Sequence, residues 1–352
     1  MSVKTEGSSN YEYVIARVRS RRSKLFDGDD YRKLVRMGPG EIARFMEDSE
    51  YEAEMNALGT RHSGVDLIEY ALNRNLSKHF DDLLTWAEGS LYANIANYLR
   101  KFDAWNVKTV IRGIYTGAET EDVEDDLIRT GEFSERTLDR LTEVTTVEEA
   151  IEALSGTIFG EPLEAAYEEF ENTETLVPLE NAVDRAFFNH LLDDIGQPEP
   201  DSPTALYREF LEAEIDFRNL RNGLRIARSG ADIDPAEYFI EGGRLFDAEE
   251  LRGLASNTDE LVSAIRESTY GDDLSEALDE LESATSLIGF EHALNTALLE
   301  YSGKLSNRYP LSICPVLAYI LGKEREIENI RAIARGREAG IPAEEIEEDL
   351  IQ

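Results

Sequence analysis

The chain is short of positive charge and of cysteine. It has 36 basic residues against 73 acidic ones, which gives a formal net charge of −37. A surface of this sign repels the phosphate backbone of DNA and RNA, so nucleic-acid binding is not expected. Cys314 is the single cysteine, which excludes an internal disulfide and is typical of a reducing compartment.

Long apolar runs and catalytic motifs are also missing. The longest apolar run, residues 313–321, is about half the length of a membrane span. The sequence has no glycine-rich phosphate loop, and its 4 His residues are scattered without metal-ligand spacing. We therefore expect no catalytic residue, no cofactor and no metal, and a protein that is at most peripheral to a membrane.

The acidic excess extends over the whole chain and is not confined to a tail. Such a chain repels itself when it is compact, and concentrated salt screens that repulsion. This pattern indicates the solvated surface of a halophilic protein. The alternative is an acidic surface that binds a basic partner.

What the chain does have is an internal repeat of about 110 residues. Glu69, Glu180 and Glu291 lie 111 residues apart and open the same short phrase. A second phrase follows about 35 residues later and reads acid, two residues, Asn, aliphatic, base, three residues, Arg, four residues, Gly. Its fixed positions are Asp103, Asn106, Arg112 and Gly117; Asp216, Asn219, Arg225 and Gly230; and Glu326, Asn329, Arg335 and Gly340.

The repeat predicts domains rather than solenoid units, because each copy is as long as a small domain. Apolar residues recur at the helical period of 3.6, and no stretch alternates as a half-buried strand would. The repeated Gly follows a helical run, where a left-handed residue ends the helix. We predict an all-α protein with three homologous helical domains in a pseudo-threefold arrangement. The predicted segments are a disordered N-terminus (1–10), copy 1 (11–117), copy 2 (118–230) and copy 3 with a C-terminal tail helix (231–352).

The repeated polar residues have a structural interpretation. Arg112 lies nine residues after Asp103 on the same helix, on its opposite side, so these two cannot pair. Each repeated Arg needs another acid, and the repeated Glu is the candidate, for example Glu180 with Arg225 in a buried setting. The alternative is that these charges are exposed. The repeated Asn is expected to cap or bridge backbone between helices, the alternative being a ligand contact.

One basic cluster interrupts the acidic sequence near the N-terminus. It is a candidate contact with an acidic partner subunit; the alternatives are the solvated flank of a first helix and a contact with a membrane surface. Its members are Arg17, Arg19, Arg21, Arg22 and Lys24.

Three segments resemble the C subunit of archaeal A-type ATP synthases, a relative of the d subunit of the vacuolar ATPase. The resemblance covers residues 11–351, and the C-terminal segment is its most specific part. The segments are Tyr11-x-Tyr13-x-x-Ala16-Arg17-Val18-Arg19, the stretch from Glu41 to Tyr51, and Lys323-Glu324-x-Glu326-x-x-Asn329-Ile330-Arg331-x-Ile333-Ala334.

The resemblance implies a funnel-shaped, non-catalytic rotor subunit of the central stalk with three similar helical domains. Such a subunit is peripheral, lies on the cytoplasmic face of the cell membrane, and is present as a monomer within a multisubunit complex. It sits on the proteolipid ring, receives the foot of the central shaft, and couples ATP synthesis to proton or ion transport. The rival interpretations are a free-standing helical-repeat scaffold that binds peptides and a helical enzyme with an unrecognised site.

The net charge leads to a prediction about salt. We expect the isolated protein to be poorly folded in dilute buffer and folded in molar salt, because the screening length falls to about 3 Å at 1 M. Circular dichroism across a salt titration measures this. Full helicity and an unchanged melting temperature at low salt would contradict the halophilic interpretation.

Overall fold

The computed structural model describes residues 8–200, 202–229, 234–254, 257–272, 274–275, 278–279, 288–348 and 350. Within these ranges, the side chains of residues 226–229, 235, 258, 288–293 and 348 lie outside the description. Regular structure in the described residues is helical throughout and contains no strand. The predicted all-α class is confirmed.

The helices are numbered here in chain order. The first twelve are α1 (Tyr11–Arg22), α2 (Gly28–Leu34), α3 (Pro39–Glu47), α4 (Glu52–Leu58), α5 (Gly64–Trp86), α6 (Gly89–Leu99), α7 (Lys101–Thr116), α8 (Thr120–Asp126), α9 (Glu135–Thr142), α10 (Val147–Ala153), α11 (Gly160–Thr173) and α12 (Val177–Ile195). The others are α13 (Pro203–Ser229), a 3₁₀ helix (Pro235–Tyr238), α14 (Ala248–Leu254), α15 (Thr258–Glu267), α16 (Ile288–Arg308), α17 (Cys314–Glu338) and α18 (Ala343–Glu348).

These helices pack into two compact units. The first unit comprises Met1–Lys24 and Met37–Asp194, and the second comprises Leu25–Arg36 and Ile195–Gln352. Helix α2 therefore belongs to the second unit although its sequence lies in copy 1. The three-domain division at residues 117 and 230 and the pseudo-threefold arrangement stay predictions.

The core of the first unit is built around the long helix α5. Ile68, Leu72 and Phe80 are fully buried on it, and the helix packs against α1, α3, α4 and α6. Phe80 also stacks on Phe102 of α7, with 5.3 Å between the ring centroids. Burial of side chains of this size stabilises the fold by about 1.5–3 kcal/mol each.

In the second unit the core lies between α13, α14, α15 and α16. Leu220 and Leu224 of α13 meet Leu251 of α14 and Leu261 of α15, and all four are buried. Phe217 and Tyr270 meet edge to face there, 4.8 Å apart. Helix α17 packs along α16 and also contacts α2 and α18.

The repeated Gly ends its helix where the structure describes it. Gly117 and Gly340 adopt φ of +69° and +77°, a left-handed conformation that costs other residues about 1–2 kcal/mol. The residue after each glycine donates its backbone N–H to the carbonyl five residues earlier. Ala118 donates to Gly113 O and Ile341 donates to Gly336 O, both at 2.9 Å. This is the expected helix stop. Gly230 lies outside the described residues.

Residues 1–7 of the predicted disordered N-terminus lie outside the described residues, but the last two residues of that segment are fixed. Ser9 Oγ accepts a hydrogen bond from Leu91 N at 3.2 Å. Asn10 donates to Trp86 O at 2.8 Å and accepts from Glu88 N at 3.0 Å.

The C-terminal tail forms the short helix α18. Ile346 on it is 4% exposed and packs closely against α17, where a Cβ on Gly336 would meet the Ile346 Cδ1 at 2.8 Å. Glycine at 336 therefore permits this approach. Among the described residues, no helix is long and apolar enough to cross a membrane.

Candidate functional site

The second phrase of the repeat lies on the three long helices α7, α13 and α17, and its acid and Asn are buried in every copy. None of the six side chains is more than 3% exposed. They are Asp103 and Asn106 on α7, Asp216 and Asn219 on α13, and Glu326 and Asn329 on α17.

Three irregular stretches lie just before the helices α2, α9 and α14, and we call them the entry segments. They comprise residues 25–27, 127–134 and 239–247. Each ends in a residue whose side chain caps the following helix: Asp27 accepts from Asp29 N at 2.9 Å, Ser134 from Thr137 N at 3.2 Å, and Asp247 from Glu250 N at 2.8 Å. Because Ser and Asp are strong N-cap residues, each entry segment leads into a helix in the same way.

In copy 1, Asp103 binds the backbone of the entry segment before α9. Its Oδ2 accepts from Glu132 N at 2.7 Å and its Oδ1 from Phe133 N at 3.1 Å. Gly131, with φ +121°, is required beside them, because a Cβ there would lie 2.5 Å from Asp103 Oδ1. Two backbone donors thus offset part of the cost of removing this carboxyl group from water.

Copy 2 repeats this arrangement with one addition. Asp216 Oδ1 accepts from Arg244 N and Leu245 N, both at 2.9 Å, and a Cβ on Gly243 would clash with that oxygen. The hydroxyl of Tyr270 donates to Asp216 Oδ2 at 3.0 Å. Burial raises the pKa of Tyr270, so this phenol stays a proton donor.

Copy 3 binds the entry segment that belongs to copy 1. Glu326 Oε2 accepts from Phe26 N at 2.6 Å, and its Oε1 accepts from Lys323 Nζ at 2.7 Å. Lys323 is fully buried, so the ion pair is desolvated as well as hydrogen-bonded. A buried pair of this kind is tolerated only when both charges have partners.

The repeated Asn bridges backbone in the two copies where its contacts are described in full. Asn106 donates to Ile128 O at 2.8 Å and accepts from Ile128 N at 2.9 Å. Asn219 does the same with Ile240, at 2.8 and 2.9 Å. An amide side chain here completes both hydrogen bonds of one residue in the entry segment, as expected for a bridging rather than a ligand-binding Asn.

The order of these contacts is cyclic along the sequence. The long helix of copy 1 binds the entry segment of copy 2, that of copy 2 binds the entry segment of copy 3, and that of copy 3 binds the entry segment of copy 1. The repeat in the sequence predicted the helix positions but not the entry segments that they bind. Gly131 and Gly243, which precede Phe133 and Phe246 by two and three residues, are the signal that could have shown them.

The suggested pair of Glu180 with Arg225 is wrong. Glu180 Oε1 accepts from Arg112 Nε at 2.5 Å, so the Arg of copy 1 pairs with the Glu of copy 2. Lys108 pairs with Asp184 at 2.7 Å. As the residue numbers rise on α7 they fall on α12, so the two helices are antiparallel there.

A related contact joins the next two copies, where Arg221 donates to Asn295 Oδ1 at 2.6 Å.

The ion pair that Glu180 does form is not buried, as the predicted pair of Glu180 with Arg225 was expected to be. The side chains of Arg112 and Glu180 are 46% and 29% exposed. Arg225 and Arg335 are exposed, Glu69 is half-buried, and the side chain of Glu291 lies outside the described residues.

The basic cluster lies at the surface of α1 and just after it. Arg17 stacks on the rings of Tyr13 and Trp86, at 4.7 and 4.9 Å, and Arg21 pairs with Asp82 at 2.5 Å. A third contact joins Lys24 to Glu50 at 2.7 Å. Arg19 and Arg22 are exposed and form no ion pair with a residue that the structure describes.

Burial changes the protonation of the repeated acids. It raises the pKa of Asp103 to about 7, against the opposing effect of the N–H groups of Glu132 and Phe133. Burial also raises the pKa of Asp216.

The single cysteine is buried as well. Cys314 is 1% exposed, and burial raises the pKa of its thiol. Over the described ranges, no group of His, Cys, Asp and Glu could hold a metal ion.

Comparison with known sequences identifies similar proteins along the whole chain. Residues 14–349 match the ATP synthase (C/AC39) subunit family. The chain is 66% identical over 347 residues to the A-type ATP synthase C subunit of Haloferax volcanii, which covers 99% of both chains. It is 59% identical over 348 residues to the C subunit of Halobacterium salinarum, covering 98% of both. Identity to the C subunit of Methanosarcina mazei is 35% over 351 residues, covering 99% of this chain and 94% of the other.

The raised pKa of Asp103 predicts a pH-dependent stability. A folded pKa of about 7 lies above the unfolded value of about 3.9, so this group's contribution to the free energy of unfolding is complete below about pH 4 and is lost as pH rises to about 7. We expect the cost of Asp103→Asn to fall by up to ~4 kcal/mol across that window. Urea unfolding in molar salt measures it, with the exposed Asp48→Asn as control. A cost that is the same at both ends of the window would show that the folded protein keeps the carboxylate ionised.

The exposure of the ion pairs predicts their strengths. We expect a coupling energy of about 0.2–1 kcal/mol between Arg112 and Glu180, because half-exposed pairs are screened by solvent. Lys108 and Asp184, at 14% and 20% exposure, should couple more strongly. Double-mutant cycles with alanine measure both in the same background. A coupling of ~3–5 kcal/mol for Arg112 and Glu180 would mean that the pair is buried.

Proposed function

Because the chain belongs to the ATP synthase (C/AC39) subunit family, we propose that it is the non-catalytic central-stalk rotor subunit of an A-type ATP synthase. In this role it couples the central shaft to the membrane proteolipid ring during ATP synthesis and proton or ion transport. One molecule of the protein per complex lies on the cytoplasmic face of the membrane, between the ring and the shaft.

The observation that carries this proposal is the cyclic order of the helix-to-entry-segment contacts. A coupling subunit must pass a load between two partners without deforming. In this chain every copy is joined to the next by hydrogen bonds between a buried side chain and backbone, and the last is joined to the first. The folded protein loses stability when a buried polar group is left without its hydrogen-bond partner. The contacts between each long helix and its entry segment therefore resist opening under load.

The use of the repeated acids supports a non-catalytic role. Asp103, Asp216 and Glu326 are buried and already bound to backbone N–H groups. A general acid or base must reach the proton that it transfers in a substrate. These carboxylates reach the entry segments instead, so the repeated positions act on the chain's own backbone.

The basic cluster is the proposed contact with an acidic partner subunit. Arg19 and Arg22 are exposed on α1, and the stacking of Arg17 on Tyr13 and Trp86 fixes a third guanidinium on the same helix. Arg side chains are suited to binding carboxylates in pairs of hydrogen bonds. The proposal assigns this surface to assembly rather than to chemistry.

The proposed role predicts separate effects on hydrolysis and on pumping. A complex purified from membranes in molar salt without this chain should still hydrolyse ATP but should not pump ions, and adding the chain back should restore pumping. Ile346→Asp should restore it less well, because a charge would be placed where α18 packs on Gly336. Glu345→Gln, an exposed change on the same helix, should restore it fully.

Each alternative has its own outcome in this experiment. Loss of ATP hydrolysis by the catalytic head when this chain is absent would give it a catalytic role. Solitary elution from membranes, with neither proteolipid nor nucleotide-hydrolysing subunits, would favour a free-standing scaffold. Full pumping with Ile346→Asp would show that the tail is not needed for coupling.

A further inference from the structure

Three exposed side chains lie in one line along α7, and we call them the α7 surface. Trp105 and Tyr115 are 44% and 52% exposed, and the side chain of Arg112 between them is 46% exposed. Their spacing of seven and three residues is that of side chains that follow one face of a helix. The line spans about 15 Å, the rise of ten helical residues.

The other two copies carry charges where copy 1 carries the two aromatic rings. These positions are the second and the twelfth after the repeated acid, and they hold Arg218 and Arg228 in copy 2 and Glu328 and Glu338 in copy 3. The same helix therefore forms in each copy without exposed rings at these positions. Trp, Tyr and Arg are the residues that contribute most to binding at protein interfaces, so the α7 surface of copy 1 has the composition of a contact site.

Two of the three side chains are held in place within the chain. The Tyr115 hydroxyl donates to Glu174 O at 2.9 Å, and Arg112 Nε donates to Glu180 Oε1 at 2.5 Å. The backbone of Glu174 is left-handed, with φ +52°, a conformation that few residues other than glycine adopt. Side chains fixed in this way lose little conformational freedom when a partner binds.

The charge on this side of α7 favours an acidic partner. From residue 101 to residue 118 the sequence has three basic residues and one acid, and that acid, Asp103, is buried. Glu180 binds only Nε of Arg112, and the two terminal nitrogens of the guanidinium form no hydrogen bond or ion pair with a residue that the structure describes. Their N–H groups can bind a carboxylate through paired hydrogen bonds.

We propose that the α7 surface binds an acidic helix of a neighbouring subunit in the complex. Apolar side chains of that helix cover Trp105 and Tyr115, and one of its carboxylates accepts from Arg112. A helix fits because a second helix packs along side chains spaced by seven and three residues. Covering the rings removes apolar surface from water and stabilises the contact, while Arg112 selects an acidic partner. This inference rests on the proposed function, which supplies the complex.

The fluorescence of Trp105 tests whether a partner covers this surface. The sequence has 2 Trp residues, so Trp86→Phe leaves Trp105 alone and keeps a ring on which Arg17 and Arg21 can stack. Incorporation of 5-hydroxytryptophan into this variant allows Trp105 to be excited apart from the tryptophans of other subunits. We expect acrylamide quenching of Trp105 to fall severalfold when the variant rejoins, in molar salt, a complex that lacks the chain.

Variants without the label test the ring and the charge separately. We expect Trp105→Gln to raise the concentration needed for half-maximal rejoining about tenfold or more, and Arg112→Gln to raise it severalfold. Arg136→Gln removes an exposed guanidinium on α9 in the same unit and should rejoin as the unmodified chain does. Normal rejoining of Trp105→Gln would overturn the docking surface, and normal rejoining of Arg112→Gln would overturn the acidic partner.

Other occupants and the proposed function have their own outcomes. Equal quenching of Trp105 in the free chain and in the complex would overturn the inference even if the chain restores pumping. Protection of Trp105 by phosphatidylglycerol vesicles alone would assign the surface to the membrane, and protection on concentrating the isolated chain would assign it to a second copy; either result overturns the inference. If Trp105 is covered in the complex but pumping is not restored, the docking surface is supported and the rotor role is contradicted.

Discussion

The structure depends on the burial of one carboxylate in each copy. A carboxylate taken out of water must find donors, and it is strongly destabilising if it does not. Asp103, Asp216 and Glu326 find theirs in the backbone of an entry segment. The same hydrogen bonds therefore fix the position of the long helix and the course of the entry segment. Movement of either one would leave the buried carboxylate without its backbone donors.

The three copies satisfy this requirement in different ways. Copy 1 uses two N–H groups and a glycine that lets them approach. Copy 2 adds the Tyr270 hydroxyl, and copy 3 replaces Asp by the longer Glu and supplies Lys323. In copy 3 the carboxylate accepts from the N–H of Phe26, and Lys323 provides a further donor. The repeated feature is the compensation of a buried charge, and the residues that provide it differ between copies.

The sequence predicted the helices, the repeat and the helix stops because these follow from local rules. Gly117 and Gly340 end their helices as expected, since the left-handed conformation can be read from a glycine after an apolar run. The partner of each polar residue could not be read in this way. A repeat shows that Glu180 and Arg112 recur in register, but it does not show whether an Arg binds the Glu of its own copy or of the next one. That choice is made by tertiary packing, here the antiparallel contact of α7 with α12.

Net charge and salt explain why buried contacts matter more here than surface ones. In the molar salt in which a chain of −37 is expected to fold, exposed pairs are screened within a few Å. Arg112 with Glu180 belongs to this group, because both side chains are half-exposed. The hydrogen bonds of Asp103 and the pair of Lys323 with Glu326 are out of water, so added salt weakens them much less. The contacts of the second kind therefore keep their strength in concentrated salt, and these are the ones that recur in all three copies.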